Sequence, residues 1–179
     1  GRDAAFNGSL TSDKNLSILA KNSIVTKEGS DLYTQEDGYL KAHTAALGGD
    51  VRADGTLTIE TDETLSVKNV TAGKAATLKA GTELNAQNVK SDNGTATLNA
   101  GTQLTAQNVT AKGDAVLRAG ADLTANDVKA GGTADLHSQK AMETGSISAD
   151  TVKLNAEDGD IHSDGAVRAN KDASVSTGT

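Results

Sequence analysis

The chain has 179 residues with 17 basic and 24 acidic side chains, a net charge of −7. That length suits one ordinary domain, and the charge balance argues against a general nucleic-acid or membrane-surface role. Leu, Ile, Val and Phe supply 33 residues, roughly 18% of the chain, so little apolar material that only a strict pattern can keep it from disorder. Proline and cysteine are both absent. No disulfide or thiolate metal site can therefore hold the fold, and every residue keeps the backbone donor that a paired strand needs. No apolar run is long enough to span a bilayer. No initiator Met or signal peptide precedes Gly1, and the chain stops at Thr179 in mid-pattern, so it reads as a segment of something longer.

Residues 1–39 are the less regular part. Leu16, Ile18 and Ala20 alternate as an inward-facing strand would, and Ile24 follows six residues after Ile18. The next turn begins 22 residues after Ile18, at Leu40, which places extra length in a polar insertion near 28–38 that contains Asp31, Glu36 and Asp37. The first fifteen or so residues read equally as a frayed end or as a further turn.

From residue 40 to 179 the chain repeats. One apolar column passes through Leu40, Ile59, Leu78, Leu98, Leu117, Leu136 and Leu154, in steps of 19, 19, 20, 19, 19 and 18. A second runs about six residues further on, through Leu47, Leu65, Leu84, Leu104, Leu123, Met142 and Ile161. A third runs through Val51, Val70, Val89, Val109, Val128, Ile147 and Val167. Around each column apolar and polar residues alternate, as in Ala76, Leu78 and Ala80, which is the period of a short strand with one buried face. Gly, Asn and Asp gather between the strands, residue types that tolerate positive φ at corners; Gly81, Gly101 and Gly120 share one corner.

One such turn cannot bury its apolar face, but stacked turns give each strand a parallel partner about 4.8 Å above and below. The expected fold is all-β: a right-handed parallel β-helix with about 19 residues and three short strands per turn, one continuous solenoid over 40–179. Its handedness follows from the general rule for parallel crossovers and from no particular residue. Helical repeats are longer, leucine-rich repeats space Leu and Asn differently, and the Gly-Gly-x-Gly-x-Asp of calcium-binding rolls is absent.

The run Ala-x-Leu-x-Ala-Gly-x-x-Leu-x-Ala-x-x-Val-x-Ala, present from Ala96 to Ala111 and from Ala115 to Ala130, resembles the repeats of the filamentous haemagglutinin family, adhesins typified in Bordetella. The resemblance covers roughly residues 40–170. It implies a very long protein exported by two-partner secretion through a dedicated outer-membrane transporter, folding at the bacterial surface and attaching to host-cell glycans or receptors. Shafts of contact-dependent toxin-delivery exoproteins share the design, and the repeat does not choose between them. The family's secretion-domain motifs have no counterpart here. In place of an integrin-type Arg-Gly-Asp stand Arg52, Ala53 and Asp54.

No catalytic constellation, metal site or cofactor is expected, and a carbohydrate-active β-helix enzyme is the least favoured reading. In the repeat register His137 follows the first column, His162 the second, and His43 neither, so the three share no site. Glu157, Asp158 and Asp160 surround a corner glycine without any repeated calcium-ligand spacing. A polysaccharide cleft would need long insertions and aromatic platforms, whereas Phe6, Tyr33 and Tyr39 all lie outside the regular repeats. Asn69, Asn88 and Asn108, each just before the third column, suggest an amide ladder, although Asp127 at the next turn suits local turn geometry better. Just after the third column, basic and hydroxyl side chains alternate. Arg52, Lys90, Lys129 and Arg168 are separated by Thr71, Thr110 and Ser148. Positive charges two turns apart, about 9.6 Å, form either a solvated face or a strip for weak, salt-sensitive contact with an extended polyanion such as a sulfated glycosaminoglycan.

Overall fold

A computed structural model describes residues 2–178. In chain order the strands are β1 (Asp3–Phe6), β2 (Leu10–Ser12), β3 (Leu16–Leu19), β4 (Ser23–Thr26), β5 (Leu32–Thr34), β6 (Gly38–Ala42), β7 (Thr44–Ala53), β8 (Leu57–Thr61), β9 (Leu65–Ala72) and β10 (Ala76–Ala80). There follow β11 (Leu84–Ser91), β12 (Ala96–Ala100), β13 (Leu104–Ala111), β14 (Ala115–Ala119), β15 (Leu123–Ala130), β16 (Thr133–Ser138), β17 (Met142–Ala156), β18 (Ile161–Ser163) and β19 (Val167–Thr177). No helix occurs among the described residues. Every pairing is parallel and joins one turn to the next, as β8, β10 and β12 do through Ile59, Leu78 and Leu98. The result is a parallel β-solenoid of about nine turns of roughly 19 residues.

The first and third columns stack residue on residue as expected. The first also reaches back to Ile18 and on to Val175, while the third begins at Leu10 and Leu32. Leu78, Leu98 and Leu117 are fully buried, as are Leu84, Leu104 and Leu123 of the second column. In regular turns the second and third strands run on as one eight-residue strand. In β11 the pairing skips Gln87, and the two consecutive exposed residues Gln87 and Asn88 reverse the inward parity, so the strand bends there without breaking.

At the top of the second column the structure corrects the sequence reading. Ala45, not Leu47, pairs with Leu65; Leu47 pairs with Val67 in the inward row that continues as Ala86, Ala106 and Ala125. Both residues have inward parity, and a register shift between Leu47 and Asp50, across Gly48 and Gly49, restores the third column at Val51. In residues 1–39, β5 places Leu32 in the buried core over Val51. The extra length is confined to a turn in which Ser30 N–H donates to Lys27 C=O at 3.0 Å and Gly29 takes a φ of 75°. Near the start of the chain, β1 pairs with β4 from Asp3 to Phe6.

Corner chemistry also differs from the expectation of positive φ. Among the described residues no non-glycine residue has positive φ, and Gly29 is the one glycine that does. At the stacked corner Gly81–Gly101–Gly120, in a row that Asp62 and Gln139 extend, the turns approach closely. A Cβ on Gly101 would stand 1.9 Å from the carbonyl oxygen of Gly81, and one on Gly120 would stand 2.0 Å from that of Gly101. The corner Asp residues have another task. Their carboxylates accept backbone N–H groups of the next turn where the strand ladder lapses: Asp37 Oδ1 from Thr56 at 2.7 Å, Asp114 Oδ1 from Thr133 at 2.7 Å, and Asp31 Oδ1 from Asp50 at 2.9 Å. The Thr56 backbone N–H, then its side chain, holds the Asp37 carboxyl below the usual carboxylate range.

Candidate functional site

The outer side of the third-column face carries two parallel rows. Alternation puts the residues immediately before and after each buried Val outward, so one row is Asp50, Asn69, Asn88, Asn108 and Asp127, and the other is Arg52, Thr71, Lys90, Thr110, Lys129, Ser148 and Arg168. All four predicted basic residues therefore stand in one register-exact line along the solenoid.

The amide row is hydrogen-bonded as a ladder with a direction. Asn69 Nδ2 donates to Asp50 Oδ1 at 2.6 Å, Asn88 Nδ2 to Asn69 Oδ1 at 2.6 Å, and Asn108 Nδ2 to Asn88 Oδ1 at 2.8 Å. Asp50 can begin the chain because a carboxylate is a pure acceptor. Asp127 cannot continue it, since an ionised carboxylate has no hydrogen to offer Asn108 Oδ1. Sequence reasoning missed Asp50, although it occupies the same offset before Val51 that the three asparagines occupy before Val70, Val89 and Val109. Changing Asp127 to Asn should add one rung and raise the unfolding free energy by a few tenths to about 1 kcal/mol, which moves the midpoint of chemical denaturation upward. An unchanged or lower midpoint would show that the ladder adds nothing to stability.

The basic row is only partly free. Arg52 bonds Asp54 at 2.9 Å and lies 5.6 Å from the centroid of the Tyr33 ring, while Lys90 bonds Asp92 at 2.6 Å. Among the described residues Lys129 and Arg168 have no carboxylate within 4.0 Å. The Tyr33 hydroxyl donates to Asp54 at 2.6 Å. That bond first, and the Arg52 guanidinium second, holds the Asp54 carboxyl low, while the same bond raises the Tyr33 phenol. Arg52 and Ala53 thus close β7 and Asp54 follows it, with Ala53 buried and the two flanking charges bonded to each other.

The histidines stay apart, each beside its own carboxylate. His43 is 3.3 Å from Glu63 and 3.8 Å from Asp62, His137 is 3.2 Å from Glu157, and His162 is 2.8 Å from Asp164. At the acidic corner, Gln139 donates to Glu157 at 2.7 Å and to Asp158 at 3.2 Å. Among the described residues no group of three or more His, Asp and Glu is arranged to hold a metal ion. On the first-column face, an open trough runs along the stacked glycines Gly81, Gly101 and Gly120, flanked by Lys79 and Arg118. Those cations already meet Glu60 at 3.3 Å and Asp135 at 2.6 Å.

No protein-family model matches the chain, and comparison with curated proteins and with solved structures returns no match. The class defined by the coordinates is that of a β-solenoid repeat protein with a shaft-like body.

Proposed function

We propose that the chain is a shaft segment of a large secreted adhesin of the haemagglutinin type, displayed on a bacterial surface and serving attachment to host cells. The observation that carries this reading is uniformity. From Leu40 to Leu154 the first column is continuous, and successive turns differ by a residue or so. Such a body supplies length and stiffness without a cleft for substrate. The chain is accordingly not an enzyme in this reading and takes no cofactor. The resemblance of the repeat from Ala96 to Ala130 adds the class of exoprotein and the export route through an outer-membrane transporter. A chain without proline or cysteine suits that route, because folding after export then awaits neither prolyl isomerisation nor disulfide formation. An antibody raised against the chain should decorate intact producing cells. Labelling only after permeabilisation would overturn the surface assignment.

The partner chemistry that fits the basic row is an extended sulfated polyanion. Exposed ion pairs such as Lys90–Asp92 are worth only about 0–1 kcal/mol, so a dense anion can compete for those cations. A variant with Lys90 and Lys129 both changed to Thr should leave immobilised heparin at lower salt than the parent chain. Equal retention would remove the polyanion reading and leave the row as a solvated face.

A further inference from the structure

The row of residues just before the second column reads Thr64, Glu83, Gln103, Asp122, Ala141 and Asp160. Strand bonding holds this row in register, as where Leu84 N–H donates to Gln103 C=O and Leu104 N–H to Asp122 C=O, both at 3.0 Å. On the same turns, the row just after the third column reads Thr71, Lys90, Thr110, Lys129, Ser148 and Arg168. Turns with an acid at one edge and a cation at the other therefore alternate with turns uncharged at both. Glu83 and Lys90 are seven residues apart, as are Asp122 and Lys129, so about 23 Å of bent strand separates the acidic edge from the basic one. Along each edge the charges recur every two turns, about 9.6 Å. Among the described residues no basic group lies within 4.0 Å of Glu83, Asp122 or Asp160. Glu83 and Asp160 are exposed, while half-buried Asp122 accepts Ala141 N–H on one oxygen at 3.2 Å.

We infer that two copies of the chain lie side by side, parallel and level, with the basic edge of one against the acidic edge of the other. Lys90 then meets Glu83 of the second copy, Lys129 meets Asp122, and Arg168 meets Asp160, while the uncharged levels bring Thr110 to Gln103 and Ser148 to Ala141. The shared two-turn period makes the fit register-specific. A slip of one turn sets every one of these charges against an uncharged level, whereas the level arrangement pairs all three. Lys140, beside Ala141, falls on an uncharged level and faces Ser148 rather than a cation. Lys90 exchanges Asp92, 2.6 Å away, for the second copy's acid, and exposed ion pairs are weak enough for that exchange. Arg52, whose level carries Thr44 in place of an acid, stays with Asp54. The joined edges are different surfaces, so the contact is heterologous and continues copy by copy into a layer of parallel solenoids. It rests on neither the adhesin nor the polyanion reading, and its failure would leave both standing.

Sedimentation velocity across a salt series provides the test. At about 10 mM salt, where screening reaches about 30 Å, the mean mass of the parent should rise above 18.1 kDa with concentration, and it should return there at about 1 M salt. A parent that stays monomeric, or an association that salt does not reduce, overturns the contact. Lys129→Ser with Ser148→Lys keeps composition and net charge but moves one cation onto an uncharged level, so it should associate several-fold more weakly. Equal association overturns the register. Lys90→Glu with Lys129→Glu makes both edges acidic, and Glu83→Lys with Asp122→Lys makes both basic. Each double variant alone should lose the parent's association, and the two mixed should regain it. A mixture that stays monomeric overturns the pairing of these edges. Because Asp122→Lys also gives up the bond to Ala141 N–H, Glu83→Lys against Lys90→Glu reads the same exchange at two exposed side chains.

Discussion

Alanine at Gly101 is expected to destabilise the solenoid by about 3 kcal/mol or more, near the top of the range for overpacking, even though alanine is the smallest possible addition. The new methyl group would stand 1.9 Å from Gly81 O and 2.8 Å from Gly81 C, both backbone atoms that cannot rotate away. Relief requires opening the spacing between two turns, which lengthens the parallel hydrogen bonds on either side. Two other glycines separate this effect from the general consequences of losing a glycine. Gly29 has open space around its Cβ position but a φ of 75°, so alanine there should cost about 1–2 kcal/mol from backbone strain. Gly8 has neither close neighbour nor positive φ, and alanine there should be neutral or stabilise by up to about 1 kcal/mol through the unfolded chain. Thermal or urea denaturation of the three variants reads the order directly. Similar losses at all three would refute close packing as the reason for glycine at the stacked corner.

Truncating Leu98 to alanine is expected to cost about 2–5 kcal/mol, the range for emptying a large buried aliphatic position. Leu98 is fully buried and lies between Leu78 and Leu117. Those neighbours are themselves held by strand pairing, so the site can collapse little around the lost atoms. Because stability in a solenoid is a sum of turns and the interfaces between them, weakening a middle turn also loosens the coupling between the two halves. Denaturation of Leu98→Ala should therefore broaden as well as shift. Val175→Ala, in the same column but 61% exposed at the end of the solenoid, should change stability by less than about 0.5 kcal/mol. Comparable losses at the two positions would contradict the burial gradient along the column.

The first and third columns were legible because identical or similar side chains recur at nearly constant spacing and stack like on like. Reading that spacing is reading the register itself. The second column failed at one turn for a local reason: Ala45 and Leu47 share inward parity, the larger residue looks like the better core member, and the bulge at Gly48–Gly49 leaves no periodic trace. Residues 10–34 were hard to place for the same reason. Leu10 and Leu32 belong to the third column, but the longer turn at Lys27–Ser30 stretches their spacing to 22.

On the outer face, the line of Arg52, Lys90, Lys129 and Arg168 followed from the repeat, since outward rows inherit the register of inward ones. Which of the four are engaged did not. Asp54 and Asp92 lie two positions beyond Arg52 and Lys90, whereas Gly131 and Asn170 lie two beyond Lys129 and Arg168. That pattern becomes meaningful only once the chain is known to turn its corner with those side chains close enough to bond. The asparagine row was visible as a row, while its direction and its carboxylate base needed the donor and acceptor atoms in place.

The sequence alone determined that this chain is a stack of parallel turns of about nineteen residues, because short-range alternation and long-range recurrence together leave no other way to bury so few apolar side chains. Tertiary structure decided which residue fills a column where the turn length changes, how closely the backbone approaches the glycines at 81, 101 and 120, and which cations are free. The first two depend on contacts between residues about one turn apart, where backbone approach is set by the stacking and not by the local sequence; the third depends on how the chain turns its corner just after the cation.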